Sequence, residues 1–219
     1  MYHVHLTKNV LSYNNFRKFW SLGHTMLSGR KFSRRDSRIL SPDHIVWLDL
    51  EMTGLNPNKD KILEIACIIT DSNLYVVEEG PNLVIHQEDE VLENMDDWCK
   101  AVHEESGLLK AVKESEITVE KACHLYLSFL RFSNIPQGEC PLAGNTVYMD
   151  RLFLRKYMPS LDQYFHYRTI DVSSVKELAK RWYPGVFGKM PKKMLHHRAL
   201  ADIKESIEEL KFYRQNIFK

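Results

Sequence analysis

Residues 45–55 read IVWLDLEMTGL, and no other stretch constrains the chain as much. Four apolar residues lead into Asp49, Leu50 and Glu51, and the run breaks at Thr53-Gly54. The apolar run marks a buried strand, and residues two apart on a strand share a face. Two ionised carboxylates side by side repel, and burying them without compensation is costly. A divalent cation resolves the conflict, and an oxygen-rich donor set selects a hard ion, Mg²⁺ or Mn²⁺. The plain alternative is a strand end at which one carboxylate faces solvent.

The rest of the chain sets this strand in an α/β context. Residues 44–50 read as the first strand, 61–71 as a second, and 74–87 as further strand material interrupted by Gly80-Pro81. Three strands at short spacing suggest an antiparallel meander. From about Glu90 the apolar period becomes helical, most plainly over residues 117–132. Residues 140–145 (CPLAGN) form a short strand, with a helix from about Val147. Residues 172–184 and 197–218 read as two further helices. A meander followed by alternating helix and strand predicts a mixed central sheet flanked by helices.

Charge divides the chain at Ser41-Pro42. Of its 30 Lys/Arg and 29 Asp/Glu, eight and one respectively fall within residues 1–42, leaving 22 and 28 in the remainder. A basic, Ser-containing, nearly acid-free leader has the composition of a mitochondrial targeting segment. A disordered basic tail or a nucleic-acid-binding arm is the alternative. Residues 43–219 then form the folded domain. Cys67, Cys99, Cys123 and Cys140 form no C-x-x-C pair, which argues against a zinc ribbon and a disulfide framework. No apolar run approaches the roughly 20 residues of a membrane span.

Two more acids join the first pair. Asp150 lies in GNTVYMDRLFL, in the first turns of the helix after the short strand. Asp202 lies in the C-terminal helix, five residues after His197, which stands at the helix start. Taken singly, Asp202 reads as a surface helix acid and His197 as a polar loop residue. The set and its order carry the argument. D-x-E on a first strand, a later Asp after a strand, and H-x4-D opening a last helix resemble the DEDDh signature of 3′→5′ exonucleases with the ribonuclease H-like fold. The flanking WLDLEMTGL, DWC, SGL, PLAGN and HYRTIDVSSVKELAKRWYP look like the oligoribonuclease family. The resemblance spans residues 45–218. Ala201 departs from it, because many members carry an acid there; the family's ligand matches Asp202.

The resemblance implies hydrolysis of short RNA, two to five nucleotides long, by a two-metal scheme. In it Asp49 bridges both ions, Glu51 and Asp202 hold one, Asp150 supports the other, and His197 takes the proton of the attacking water. It matches Leu55 and Trp98 to residues that hold the bases, and His103 to one near a phosphate. It matches Arg168 and Ser173 to residues that grip the far phosphate and cap substrate length. Thr146 stands where the family has Ser. Tyr167 matches a tyrosine that reaches into the neighbouring subunit's site, which makes a homodimer part of catalysis. Mitochondrial location follows from the leader, with a cytoplasmic or nuclear form from a second start left open. The competing readings are a DEDDh exonuclease for DNA or longer RNA, and a non-catalytic nucleic-acid-binding protein on the same fold. The acidic balance after residue 42 disfavours a long basic groove for long nucleic acid.

Overall fold

Strand β1 (Ile45–Met52) divides its side chains between two faces. Val46, Leu48 and Leu50 enter one core, and Trp47 enters another. By the same period Asp49 and Glu51 share the face of Trp47. The expected strand over 44–50 thus runs two residues further and carries both carboxylates. The computed structural model describes residues 43–192, 194 and 197–218. The targeting segment expected over residues 1–42 lies outside the described residues.

β2 (Ile62–Thr70) is buried along its whole length and pairs antiparallel with β1, Asp49 opposite Ala66 and Glu51 opposite Glu64. The strand material expected over residues 74–87 is two strands, β3 (Val76–Glu79) and β4 (Leu83–Val84), both antiparallel to β2. Pro81, which has no amide to donate, lies between them. Four helices follow: α1 (Asp89–Glu93), α2 (Asp97–Glu105), α3 (Leu108–Glu114) and α4 (Val119–Phe132). Thr118 caps α4, accepting from the Lys121 amide at 3.2 Å, so the helix begins two residues later than its apolar pattern suggests.

β5 (Leu142–Gly144) runs parallel to β1, and β6 (Thr169–Asp171) parallel to β5. Between them lie α5 (Val147–Tyr157) and α6 (Pro159–Asp162), and after them α7 (Val172–Trp182), α8 (Pro184–Phe187) and α9 (Ala199–Asn216). The sheet order is β3-β2-β1-β5-β6, with β4 also on β2. This is the mixed sheet expected. One core packs α4, α5 and α6 on the face of Leu48 and Ile65. The other packs α7 and α9 on the face of Trp47 and Ile68, with Ile203, Ile207 and Tyr213 from α9. The two carboxylates of β1 therefore point toward the layer that holds α9. No helix among the described residues is long and apolar enough to cross a membrane.

Candidate active site

Asp202 occupies the first turn of α9, where the helix crosses the face of β1. One carboxylate oxygen from each of Asp49, Glu51 and Asp202 lies within 4.8 Å of the others. Asp150 comes from the first turn of α5 and is buried; its Oδ1 accepts the Leu50 amide at 2.9 Å. That bond brings it to β1 between the two strand acids.

Burial and mutual repulsion oppose the ionisation of Asp49, Glu51 and Asp150. Burial holds Asp49 well above the ordinary carboxylate range, and the charges of Asp150, Glu51, Asp202 and Glu64 add to it. Burial, then Asp202, Glu64 and Asp150, push Glu51 up to about 8, with Arg198 opposing. Burial pushes Asp150 up to about 7 against the Leu50 hydrogen bond. A divalent cation is the charge that lets such a group stay ionised, and oxygen-only donors suit a hard one.

His197 precedes α9 and has a left-handed backbone, φ 49°. Its ring meets Trp98 edge-on, with centroids 5.8 Å apart. Arg198, the N-cap residue, makes no side-chain cap of its own. A residue 134 positions away supplies it. Glu64 of β2, fully buried, accepts from Arg198 Nη2 at 2.7 Å and from Arg198 Nε at 3.1 and 3.2 Å. The amide of Ala199 also donates to Glu64, at 3.1 Å.

Two apolar side chains are exposed, Leu55 at 67% and Trp98 at 65%. Trp98 is not core packing. Its helix is capped by Asp96, which accepts from the Cys99 amide at 2.8 Å. Leu55 sits on a turn pinned by Asp60, whose carboxylate takes the Asn56 amide and the Thr53 hydroxyl. A Cβ at Gly54 would fall 2.5 Å from Asp60 Oδ2, so a larger residue there would displace the carboxylate that pins the turn. His103 is buried on α2, its Nε2 donating to the Met52 carbonyl at 3.0 Å and its Nδ1 4.0 Å from Glu51. Burial lowers its pKa.

A second group gathers where β5 and β6 end. Thr146 Oγ1 and Ser173 Oγ lie 3.0 Å apart, and Ser173 Oγ donates to Asn145 Oδ1 at 3.1 Å. Asn145 Nδ2 donates to Ser206 Oγ at 2.7 Å, and Ser206 donates to the Asp202 carbonyl at 2.8 Å. Thr146 is left-handed, φ 55°, and its amide donates to Asp171, which also caps α7 through the Ser173 amide. Tyr167, 71% exposed, packs at a tilt against His166, and the Arg168 guanidinium lies 5.1 Å from its ring centroid. Buried Arg151 holds this loop by donating to the His166 and Tyr167 carbonyls at 2.8 and 3.1 Å, while its Nε binds Asp162.

Glu64, Arg198, Asn145 and Arg151 are absent from the residues singled out in the sequence. Glu64 carries the signal that exposes Asp49, a carboxylate inside an apolar strand. The others offer none, since their partners are fixed only by the fold.

Residues 46–210 match the family model described as exonuclease. The chain is 55% identical to the mitochondrial oligoribonuclease of Homo sapiens, over 90% of this chain and 79% of that one. It is 54% identical to the probable oligoribonuclease of Drosophila melanogaster, over 80% and 82%. It is 50% identical to the oligoribonuclease of Bordetella pertussis, over 81% and 97%. Among solved structures, the zinc-bound E. coli exonuclease I–ssDNA complex superposes with a TM-score of 0.60 at 17% identity. That match covers 80% of this chain and 41% of exonuclease I, and it speaks to the fold.

Proposed function

The chain belongs to the exonuclease family, in its oligoribonuclease branch, and from that premise we propose that it is a 3′→5′ exoribonuclease that trims short RNA to nucleoside 5′-monophosphates. The observation that carries the reading is the convergence of Asp49, Glu51 and Asp202 within 4.8 Å, with His197 beside Trp98.

Asp49, Glu51, Asp150 and Asp202 have the oxygen donors and the repelling charges that suit divalent cations. Two such ions, Mg²⁺ or Mn²⁺, supply charge compensation for the carboxylates and for the phosphate under attack. His197 accepts, at an imidazole nitrogen, the proton of the attacking water. The water oxygen bonds to phosphorus, the P–O3′ bond breaks, and the 3′-oxygen takes a proton from solvent. The products are a 5′-monophosphate and an RNA one nucleotide shorter.

Leu55 and Trp98 hold the bases; their exposure supports this, and base stacking on an aromatic is worth roughly 1–3 kcal/mol and tolerates any sequence. Thr146, Arg168 and Ser173 cap the far phosphate, and His103 steadies the Glu51 side of the site. Tyr167 completes the site of a second copy in a homodimer. Its exposure supports that role, as do two i,i+4 apolar pairs left exposed, Tyr148 with Leu152 and Leu178 with Trp182. Residues 1–42 act as a removable mitochondrial address ahead of a catalytic domain over 43–219. Their basic composition and the names of the mammalian relatives support this.

The test is incubation with end-labelled RNAs and DNAs of two to seven nucleotides, with Mg²⁺, Mn²⁺ or EDTA. The expected result is fastest release of monophosphate from dinucleotide RNA with either metal, and none in EDTA. Equal turnover of the DNAs, or faster turnover of the seven-nucleotide RNA than of the dinucleotide, would overturn the short-RNA reading.

A further inference from the structure

We propose that Glu64 is a positioning residue whose buried carboxylate aims His197 at the reacting phosphate; the inference rests on the reading of His197 as proton acceptor. Glu64 is buried completely, and it accepts from Arg198 through both guanidinium nitrogens in reach and from the Ala199 amide. A buried ion pair is a poor device for stability alone, since apolar residues of similar volume do as well or better. What it provides is direction. A guanidinium fork on a carboxylate fixes distance and plane together.

Three observations place that direction at His197. Its backbone is left-handed, φ 49°, a conformation uncommon for a non-glycine residue, and the Arg198 that follows it is the residue Glu64 holds. The residue after it is Arg198, and the first free amide of α9, that of Ala199, is capped by the same carboxylate. Glu64 itself stands opposite Glu51 in the β1–β2 ladder. The sheet position that presents Glu51 to the site thus also sets the origin of the helix that presents Asp202 and of the loop that presents His197.

The experiment is a double-mutant cycle on dinucleotide hydrolysis with Mg²⁺, using full-length wild type, Glu64→Gln, His197→Ala and the double variant. Glutamine keeps the shape and removes the charge that orients Arg198. We expect Glu64→Gln to lower kcat by about 10²-fold, the cost of an ångström-scale misplacement. KM and the far-UV circular dichroism spectrum should stay at wild type. In the His197→Ala background the same change should cost clearly less, because the group it aims is gone and only its smaller effect through the Asp202 helix remains. Arg198→Lys, which keeps the charge and loses the fork, serves the same cycle if Glu64→Gln does not fold. Wild-type kcat in either variant, or an equal loss with and without His197, overturns the proposal. Wild-type turnover by His197→Ala alone removes the His197 reading and this inference with it, whereas failure of wild type itself to cleave the dinucleotide overturns the function.

Discussion

The amide of Leu50 donates to Asp150 Oδ1 at 2.9 Å, so a helix acid is tied to β1 between the two strand acids, 100 residues earlier. Asparagine at 150 keeps that acceptor and loses the charge. Asp150→Asn should retain the fold and lose on the order of 10²–10³ in turnover, as removal of one electrostatic stabiliser does. Asp202→Ala should reduce hydrolysis to background, again with the fold intact. Thermal melts alongside turnover check both, and near-wild-type hydrolysis by Asp202→Ala would remove it from the site.

The raised acids give stability a definite pH dependence. Burial and mutual charge hold Asp49 high, Glu51 at about 8 and Asp150 at about 7. The folded chain therefore binds more protons than the unfolded chain, whose acids titrate near 4, and stability falls as pH rises from there toward 8. In EDTA, Tm should drop across this window, each 1 kcal/mol being about 2–4 °C in a chain of this size. Added Mg²⁺ or Mn²⁺ should raise Tm more at pH 8 than at pH 5.5, because it binds the ionised form. Scanning calorimetry measures both; a Tm in EDTA that climbs between pH 5.5 and 8 contradicts the assignment.

Asn145 joins the hydroxyls of Thr146 and Ser173 to Ser206 and α9. Asn145→Ala should loosen the length cap more than the chemistry. Losing the Asn145–Ser206 hydrogen bond costs about 0.5–1.5 kcal/mol, since Ser206 still donates to the Asp202 carbonyl. Dinucleotide turnover should fall while that on a seven-nucleotide RNA changes less, so the ratio of the two rates is the measurement. An unchanged ratio would detach Asn145 from length selection.

Dimer-dependent catalysis is checked by mixing. An Asp49→Ala chain and a Tyr167→Ala chain should each be weak alone and recover part of the activity together. One site of the mixed dimer then holds intact carboxylates and receives an intact tyrosine. No recovery after verified subunit exchange counts against donation in trans.

A chain beginning near Ser41 should keep its Tm and its dinucleotide activity if the basic, nearly acid-free residues 1–42 are an address ahead of the domain. A reporter fused to residues 1–42 should enter mitochondria. Unfolding of the shortened chain, or a reporter that stays in the cytosol, defeats the address.

The sequence exposed Asp49 and Glu51 because a period of two is local and because carboxylates in an apolar run are anomalous. Asp150, His197 and Asp202 became legible through order along the chain and resemblance. β6 was not legible: three residues, none of them buried, carry no pattern. Trp98 on periodicity alone belongs in a core, yet it is 65% exposed, since one aromatic in the first turn of a helix leaves its facing undefined. The partners of Glu64 lie 134 and 135 residues away, beyond any local signal.

Asp150 and Arg151 are neighbours on α5, and successive helical residues point about 100° apart. One reaches the Leu50 amide at the acid cluster, and the other holds the loop of Tyr167 and Arg168. The helix is thus a shaft with two cams. Turning it to refine one contact turns the other, so the acid cluster and the loop of Tyr167 and Arg168 cannot be adjusted separately.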